Sequence, residues 1–158
     1  MQMEQKITLK KLAINDRKKY LELFLIADES EAMVALYLNE GEADLIQLKG
    51  ETVGVVLFTF PDPQSVEVKN IAILQKHQNN GFGKQVLAIA TDRYAAKGFH
   101  FLLVGTANSS ISNIAFYQKA GFRLDSIKKD FFLHYSEVII EDGIQAKDML
   151  VFKKDLTE

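Results

Sequence analysis

A glycine-bearing turn between an apolar strand and a helix is the part of this sequence with the clearest chemical potential. The apolar run 66–74 leads through polar residues to Gly81-Phe82-Gly83, after which residues 84–97 follow helical spacing. The first N–H groups of a helix have no partner within the helix and carry partial positive charge. Glycines allow a bound group to approach the backbone closely. The turn therefore predicts an anion site suited to a phosphorylated ligand.

Two common phosphate-binding patterns do not fit this turn. A P-loop needs glycine and then serine or threonine at positions that Gln78 and Gln85 occupy here. A dinucleotide fingerprint that starts at Gly81 needs a third small residue where the chain has Val86. The pattern that does fit is Q-x-x-G-x-G, from Gln78 to Gly83, directly after a strand.

The elements that must position this turn follow from hydrophobic periodicity and from helix caps. Their order, β-α-α-β-β-β-α-β-α-β-β, predicts an α/β (α+β) fold with a mixed central sheet of about seven strands and four helices. The predicted elements are strand 6–12, a helix capped by Asn15 or Asp16, a helix from Ser30 to near Gly41, strands 43–48, 52–60 and 66–74, helix 82–97, strand 100–106, a helix from Ser110 or Ser112 to Gly121, and strands 122–133 and 145–153.

Composition narrows the class of protein. A chain of 158 residues with 47% apolar and 25% charged residues predicts one domain, 1–158. A net charge of −2 argues against a nucleic-acid partner, and no apolar run is long enough to span a membrane. With no cysteine and three histidines that lack ligand spacing, we expect no disulfide, no thiol nucleophile and no metal site. The default location is cytoplasmic.

A second block, Asn113 to Phe122 (NIAFYQKAGF), lies on the predicted helix after strand 100–106. Together with the Q-x-x-G-x-G turn, it resembles the GNAT (Gcn5-related N-acetyltransferase) superfamily, in particular its small bacterial acetyltransferases. The family pattern is N-x-x-A-x-x-x-Y-x-x-x-G-F, and here the aromatic pair is shifted to Phe116-Tyr117. The predicted order of elements is also that of the family, so the resemblance covers nearly the whole chain.

The resemblance implies acetyl-CoA as cosubstrate. The turn would bind the coenzyme A pyrophosphate through backbone amides, and strand 66–74 would pair with the pantetheine arm where it and the next strand splay apart. One strand amide would also polarise the thioester carbonyl. The cofactor-binding residues implied in this way are Ile71, Ala72, Ile73, Gln78, Asn79, Asn80, Gly81, Phe82, Gly83, Lys84 and Asn113.

Two residues are the candidates for catalysis that the resemblance implies. Tyr117 would give a proton to the thiolate that leaves the thioester, since a phenol has a pKa of about 10. Glu67, in strand 66–74, would accept a proton from the attacking amine, usually through water. A packed core tyrosine and an exposed strand carboxylate are the structural alternatives.

The stretch between Lys19 and Lys49 contains no lysine or arginine but seven acids, namely Glu22, Asp28, Glu29, Glu31, Glu40, Glu42 and Asp44. By resemblance, these residues belong to the early helices and loops that wall the acceptor site. They would attract a cationic amine. A solvated acidic face is the alternative.

The predicted function is therefore N-acetyl transfer from acetyl-CoA to a primary amine, first of all a small cationic one, by direct attack in a ternary complex. Two alternatives stay open: a non-catalytic acyl-CoA-binding or sensing module, and an acetyltransferase for protein N-termini or lysines. The resemblance also leaves a homodimer open.

Overall fold

The structure is a computed structural model that describes residues 5–158. Within that range, the predicted order of strands and helices is confirmed, with one additional short hairpin. The strands are β1 (Thr8–Lys11), β2 (Glu42–Leu48), β3 (Glu51–Asp62), β4 (Ser65–Ile73), β5 (Phe101–Ala107), β6 (Arg123–Lys128), β7 (Ile140–Glu141), β8 (Ile144–Gln145) and β9 (Met149–Asp155). The α-helices are α1 (Leu21–Ala27), α2 (Glu31–Tyr37), α3 (Phe82–Ala96) and α4 (Ile111–Lys119), and 3-10 helices span Ile14–Tyr20, Gln75–His77 and Phe131–His134.

Seven strands form one mixed sheet in the order β1-β2-β3-β4-β5-β9-β6. All neighbouring pairs are antiparallel except β4 and β5, which are joined by the crossover helix α3. The parallel pairing runs only from Ser65–Phe101 to Val68–Val104. Beyond these pairs β4 and β5 separate, so the sheet opens in its middle.

A bulge in β4 lies just where this opening begins. Leu57 of β3 pairs with Asn70, and the next residue, Phe58, pairs with Val68, so Lys69 is an extra residue in β4. Because side chains alternate between the faces of a strand, the extra residue exchanges the two faces. Val68 therefore faces α3, whereas Asn70 faces α1 and α2.

Each face of the sheet has its own apolar core. On one face, α3 and α4 pack with Phe82, Val86, Tyr94 and Tyr117 against the sheet. On the other face, α1 and α2 contribute a smaller cluster that includes Phe24 and Val34. Within residues 5–158, no helix is long and apolar enough to cross a membrane.

Three predicted elements differ most from their observed bounds. The strand predicted over 122–133 ends at Lys128, because Asp130 takes a left-handed conformation with φ 61° and a 3-10 helix follows. The helix predicted from Asn15 or Asp16 begins as the 3-10 helix Ile14–Tyr20 and becomes α-helical at Leu21. The strand predicted over 145–153 spans Met149–Asp155. The first change matters for the site, because it releases residues 129–148 from the sheet.

Candidate active site

The glycine-bearing turn ends in a helix start with free backbone donors. Gly81 is the N-cap of α3 with φ 78°, and its Cβ position is open space, so the conformation itself requires glycine. The first hydrogen bond of the helix runs from the Gln85 N–H to the Gly81 carbonyl, at 3.1 Å. The N–H groups of Phe82, Gly83 and Lys84 precede this bond. They are therefore available to an anion.

Side chains of the turn hold it against the end of β4. The Gln78 Nε2 group donates to the Ile73 carbonyl at 2.9 Å, and the Asn80 Nδ2 group donates to the His77 carbonyl at 3.1 Å. Asn79 is left-handed, with φ 65°. Both amide side chains are thus used to shape the backbone. This leaves ligand contact mainly to the N–H groups.

A single cavity of about 890 Å³ connects this helix start with the opening between β4 and β5. Its walls include residues 68–73 of β4 and 104–107 of β5, which start at the last parallel pair, Val68 and Val104, and continue beyond it. Ile71, Ala72 and Ile73, predicted to contact the pantetheine arm, are among them, and so are Gln78, Asn79, Gly81, Phe82, Gly83 and Lys84 from the turn. Asn80 does not line the cavity.

Helix α4 contributes Asn113 and Tyr117 to the same cavity. The Asn113 Nδ2 group donates to the Thr106 Oγ1 atom of β5 at 3.4 Å, which is a long bond. Tyr117 is 6% exposed and packs against Phe116 and Phe152, with ring centroids 5.2 and 6.1 Å away. Its hydroxyl makes no hydrogen bond to any group in the described chain. Burial raises the pKa of Tyr117 to about 12, so the phenol keeps its proton.

Glu67 lies outside the lining of the cavity. It is half-buried and accepts a long hydrogen bond, 3.4 Å, from the Thr59 Oγ1 atom of β3. Its chain neighbours Val68 and Lys69 do line the cavity. The cavity therefore brings together Tyr117 and the predicted cofactor residues other than Asn80, whereas Glu67 lies outside its lining.

The far end of the cavity is built around Asp28, the C-cap residue of α1. Its carboxylate accepts hydrogen bonds from the Tyr37 hydroxyl at 3.1 Å, from the Ser30 N–H at 3.2 Å, and from the Tyr135 hydroxyl at 3.3 Å. Burial raises the pKa of Tyr37 and of Tyr135, with Asp28 adding to both shifts, so both phenols remain donors. Asp28 thus joins α1, α2 and the C-terminal segment.

Residues 129–148 form a strap across the cavity, to which Phe132, Tyr135 and Glu141 contribute lining side chains. The Glu141 carboxylate accepts hydrogen bonds from the hydroxyls of Ser109 and Ser110, at 3.2 and 2.9 Å. Ser110, one of the two predicted caps, is the N-cap residue of α4, but its hydroxyl donates to Glu141 and makes no hydrogen bond to a helix N–H. The strap is therefore tied at Glu141 on one side and at Asp28 on the other.

Only part of the acidic stretch reaches the cavity. Asp28 and Glu29 line it. Glu42 and Asp44 lie on β2, not on the early helices or loops, and bind the C-terminal half of α3 through Lys97 and Arg93. Two of the seven acids therefore line the cavity.

Sequence reasoning did not single out Asn70 and Tyr135. Asn70 is 4% exposed and is the lone uncharged polar residue within the apolar run of β4, which is a signal that could have identified it. Tyr135 lies in a segment without periodicity, and its contact with Asp28 spans 107 positions, so no local pattern predicts it. Within residues 5–158, no cluster of three or more histidine, cysteine or carboxylate ligands is present.

Comparisons with known proteins agree with this geometry. Residues 9–122 match the model of the acetyltransferase (GNAT) family. The chain is 42% identical over 136 residues to the uncharacterized N-acetyltransferase YvbK of Bacillus subtilis (strain 168). The aligned region covers 85% of this chain and 88% of that protein.

Solved structures extend the similarity to the whole fold. A GNAT family acetyltransferase from Elizabethkingia anophelis with acetyl-CoA bound has a TM-score of 0.88 and 35% identity, covering 94% of this chain and 97% of that one. A Bacillus subtilis acetyltransferase in complex with CoA has a TM-score of 0.84 and 38% identity, covering 96% and 98%. The chain belongs to the GNAT family, and it is an acyl-CoA-dependent acetyltransferase.

Proposed function

We propose that this enzyme transfers the acetyl group of acetyl-CoA to a primary amine on a small cationic molecule. The observation that supports this is one cavity with two chemically different ends. The free N–H groups of α3 lie at one end, and at the other lie the carboxylates Asp28 and Glu29, which form no ion pair within residues 5–158. An anionic donor and a cationic acceptor can therefore meet inside it.

The residues present fit acetyl-CoA. The N–H groups from Phe82 to Lys84 suit pyrophosphate oxygens. Gly83 lets the helix start pack closely against α4, since a Cβ there would lie 3.2 Å from the Phe116 ring. The unpaired edges of β4 and β5 can hydrogen-bond an extended chain such as pantetheine. Acetyl-CoA and CoA in the two related structures support the same cosubstrate.

The chemistry then follows from position and charge. Acetyl-CoA supplies an activated thioester. A neutral amine nitrogen attacks the thioester carbonyl carbon, a C–N bond forms, and the C–S bond breaks with its electron pair on sulfur. Ile71, Ala72 and Ile73 border this region, and a backbone N–H of this stretch would stabilise negative charge on the carbonyl oxygen.

Tyr117 would supply the proton that the departing thiolate needs. Tyr117 lines the cavity, and its hydroxyl keeps its proton because of burial and has no hydrogen-bond partner within the described residues. Asn113, one helical turn before it, is positioned to hydrogen-bond the cofactor arm. The bound ammonium loses one proton through solvent before its nitrogen can attack, and Glu67 is our candidate for the base that accepts this proton. The second proton, which leaves nitrogen as the amide forms, passes through solvent and restores the hydroxyl of Tyr117.

The role of Glu67 is tested by replacing it with glutamine. If it accepts the proton through water, Glu67→Gln should lower kcat/KM by about tenfold to a hundredfold and remove the acidic limb of the pH–rate profile. Thr59→Val is the matched control, because it removes the hydrogen bond to Glu67 but keeps the carboxylate. A profile for Glu67→Gln that coincides with the unsubstituted enzyme would reject the role.

The proposed function itself is tested with acetyl-CoA and a panel of amines, by following release of free CoA thiol. We expect turnover on small amines with a protonated nitrogen, and none on neutral alcohols of the same size. Tight binding of acetyl-CoA without turnover on any amine would support a binding or sensing module. Turnover only on peptides with a free N-terminus or lysine would replace the small acceptor with a protein.

A further inference from the structure

Asp28 is a carboxylate on the wall of the cavity without a cationic partner. Among residues 5–158, the ion pairs join Lys19 to Asp16, Arg93 to Asp44, and Lys97 to Glu42. Lys69 is nearby, but its Nζ atom lies 5.4 Å from the centroid of the Tyr37 ring and forms no ion pair with Asp28. The negative charge at this end of the cavity is therefore left for a ligand.

The hydrogen bonds of Asp28 leave room for one more donor. A carboxylate has about four lone-pair positions. Three donor hydrogens reach it, from the Ser30 N–H and the hydroxyls of Tyr37 and Tyr135, and the Tyr135 hydroxyl lies within reach of both carboxylate oxygens, at 3.3 and 3.4 Å. These donors come from three different segments and hold the carboxylate in a fixed orientation, and three donor hydrogens do not exhaust its acceptor capacity.

Asn70 adds a second unsatisfied acceptor to the same group. Its Nδ2 atom donates to the Phe24 carbonyl and to the Tyr37 hydroxyl, both at 2.9 Å. Its Oδ1 atom is buried and has no hydrogen-bond partner in the described part of the chain. Asn70 is 4% exposed and lines the cavity. A buried oxygen without a donor is costly, which points to a ligand that supplies one.

A ligand ammonium group matches these two acceptors. It carries one positive charge and three N–H donors, and it can contact a carboxylate and an amide oxygen together. Such contacts stabilise its protonated form. An amine that attacks a thioester must first lose a proton, so the ammonium bound here is not the one that reacts.

We propose that Asp28, with Asn70, binds a second ammonium group of the acceptor, and that the preferred substrates are small diamines. This rests on the proposed acetyl transfer to amines. The amine that is acetylated lies toward Tyr117, and the distal ammonium stays protonated at Asp28. The hydroxyls of Tyr37 and Tyr135 hold Asp28, and Tyr135 also lines the cavity.

The first test needs only the unsubstituted enzyme and three probes of equal chain length: 1,4-diaminobutane, butylamine and 4-amino-1-butanol. Charge-assisted hydrogen bonds at Asp28 should raise kcat/KM for the diamine by about tenfold to a hundredfold over the other two. Equal kcat/KM for butylamine and the diamine would overturn the diamine site but leave acetyl transfer to amines intact. Failure of all three amines, with acetyl-CoA still bound, would overturn the proposed function instead.

Two variants then test whether Asp28 causes the preference for the diamine over butylamine. Asp28→Asn keeps the size of the side chain and should lower the ratio of diamine to butylamine activity by about tenfold. Glu31→Gln removes the same charge from a nearby exposed residue of α2 that does not line the cavity, and it should leave that ratio unchanged. An equal fall in both variants would mean a general field effect and would overturn the assignment to Asp28. The KM for acetyl-CoA and the melting temperature show whether either variant disturbs the fold. If a variant fails to fold, the ratio of diamine to butylamine activity in the unsubstituted enzyme still tests the diamine site.

Discussion

Replacing Tyr117 by phenylalanine is expected to lower kcat by about a hundredfold and to leave the KM for acetyl-CoA nearly unchanged. The ring packing against Phe116 and Phe152 is kept, because only the hydroxyl is removed. Without the hydroxyl, the thiolate leaves without a proton donor, so the loss falls on the chemical step rather than on binding. Initial rates at saturating amine, with acetyl-CoA varied, measure both constants.

Tyr94→Phe is the matched control for this prediction. Tyr94 is fully buried, and its hydroxyl donates to Glu42 at 3.1 Å, away from the cavity. This variant should lose stability but not kcat. An unchanged kcat in Tyr117→Phe would show that Tyr117 is only a core residue.

The pH dependence of Tyr117 has a definite sign. Burial raises the pKa of its phenol to about 12 in the folded protein, against about 10 when it is unfolded. The folded state binds this proton more tightly, so the resulting stability is complete below pH 10 and is lost as the pH rises toward 12. Over ordinary assay conditions the hydroxyl remains protonated and ready to donate.

Placing a carboxylate at the start of α3 should have the largest effect on cosubstrate binding. In Gly83→Asp the new charge lies among the N–H groups that we assign to the pyrophosphate, and we expect the Kd for acetyl-CoA to rise by about a hundredfold. An acidic residue in the first turn of a helix is favourable for folding. The loss should therefore appear in titration calorimetry without a matching fall in melting temperature.

Gly83→Asn is the control of equal size. Its Cβ meets the same Phe116 Cζ atom, at 3.2 Å, so any steric cost is shared by both variants. Only the charge differs. If acetyl-CoA bound equally well to both variants, the pyrophosphate would have to be bound somewhere other than this helix start.

Features encoded in short stretches of sequence were predicted correctly. The turn at Gly81 depends on a left-handed residue directly before a helix, and a glycine followed by helical spacing can be recognised within one short segment of sequence. The order of strands and helices also follows from local periodicity, and it is confirmed with one extra hairpin. The glycine-bearing turn and the start of α3 are thus readable from the chain, whereas their assignment to the cofactor stays a prediction.

The acceptor end depends on contacts that no short stretch contains. Asp28 meets Tyr135 only because β6 ends at Lys128 and the strap returns over the cavity. That early end was missed, since residues 122–133 have the composition of a longer strand. The reversal of faces in β4 was missed as well, because the bulge at Lys69 is defined by pairing with β3 and not by residue type.

The opening between β4 and β5 also makes the stability of the enzyme depend on its cosubstrate. Pairing between these strands stops at Val68 and Val104, and their next peptide groups are left for a ligand. A ligand that binds only the folded state raises the free energy of unfolding, by about 2.7 kcal/mol when it is present at a hundred times its Kd. The concentration of acetyl-CoA would therefore change the free energy of unfolding of the enzyme as well as its rate.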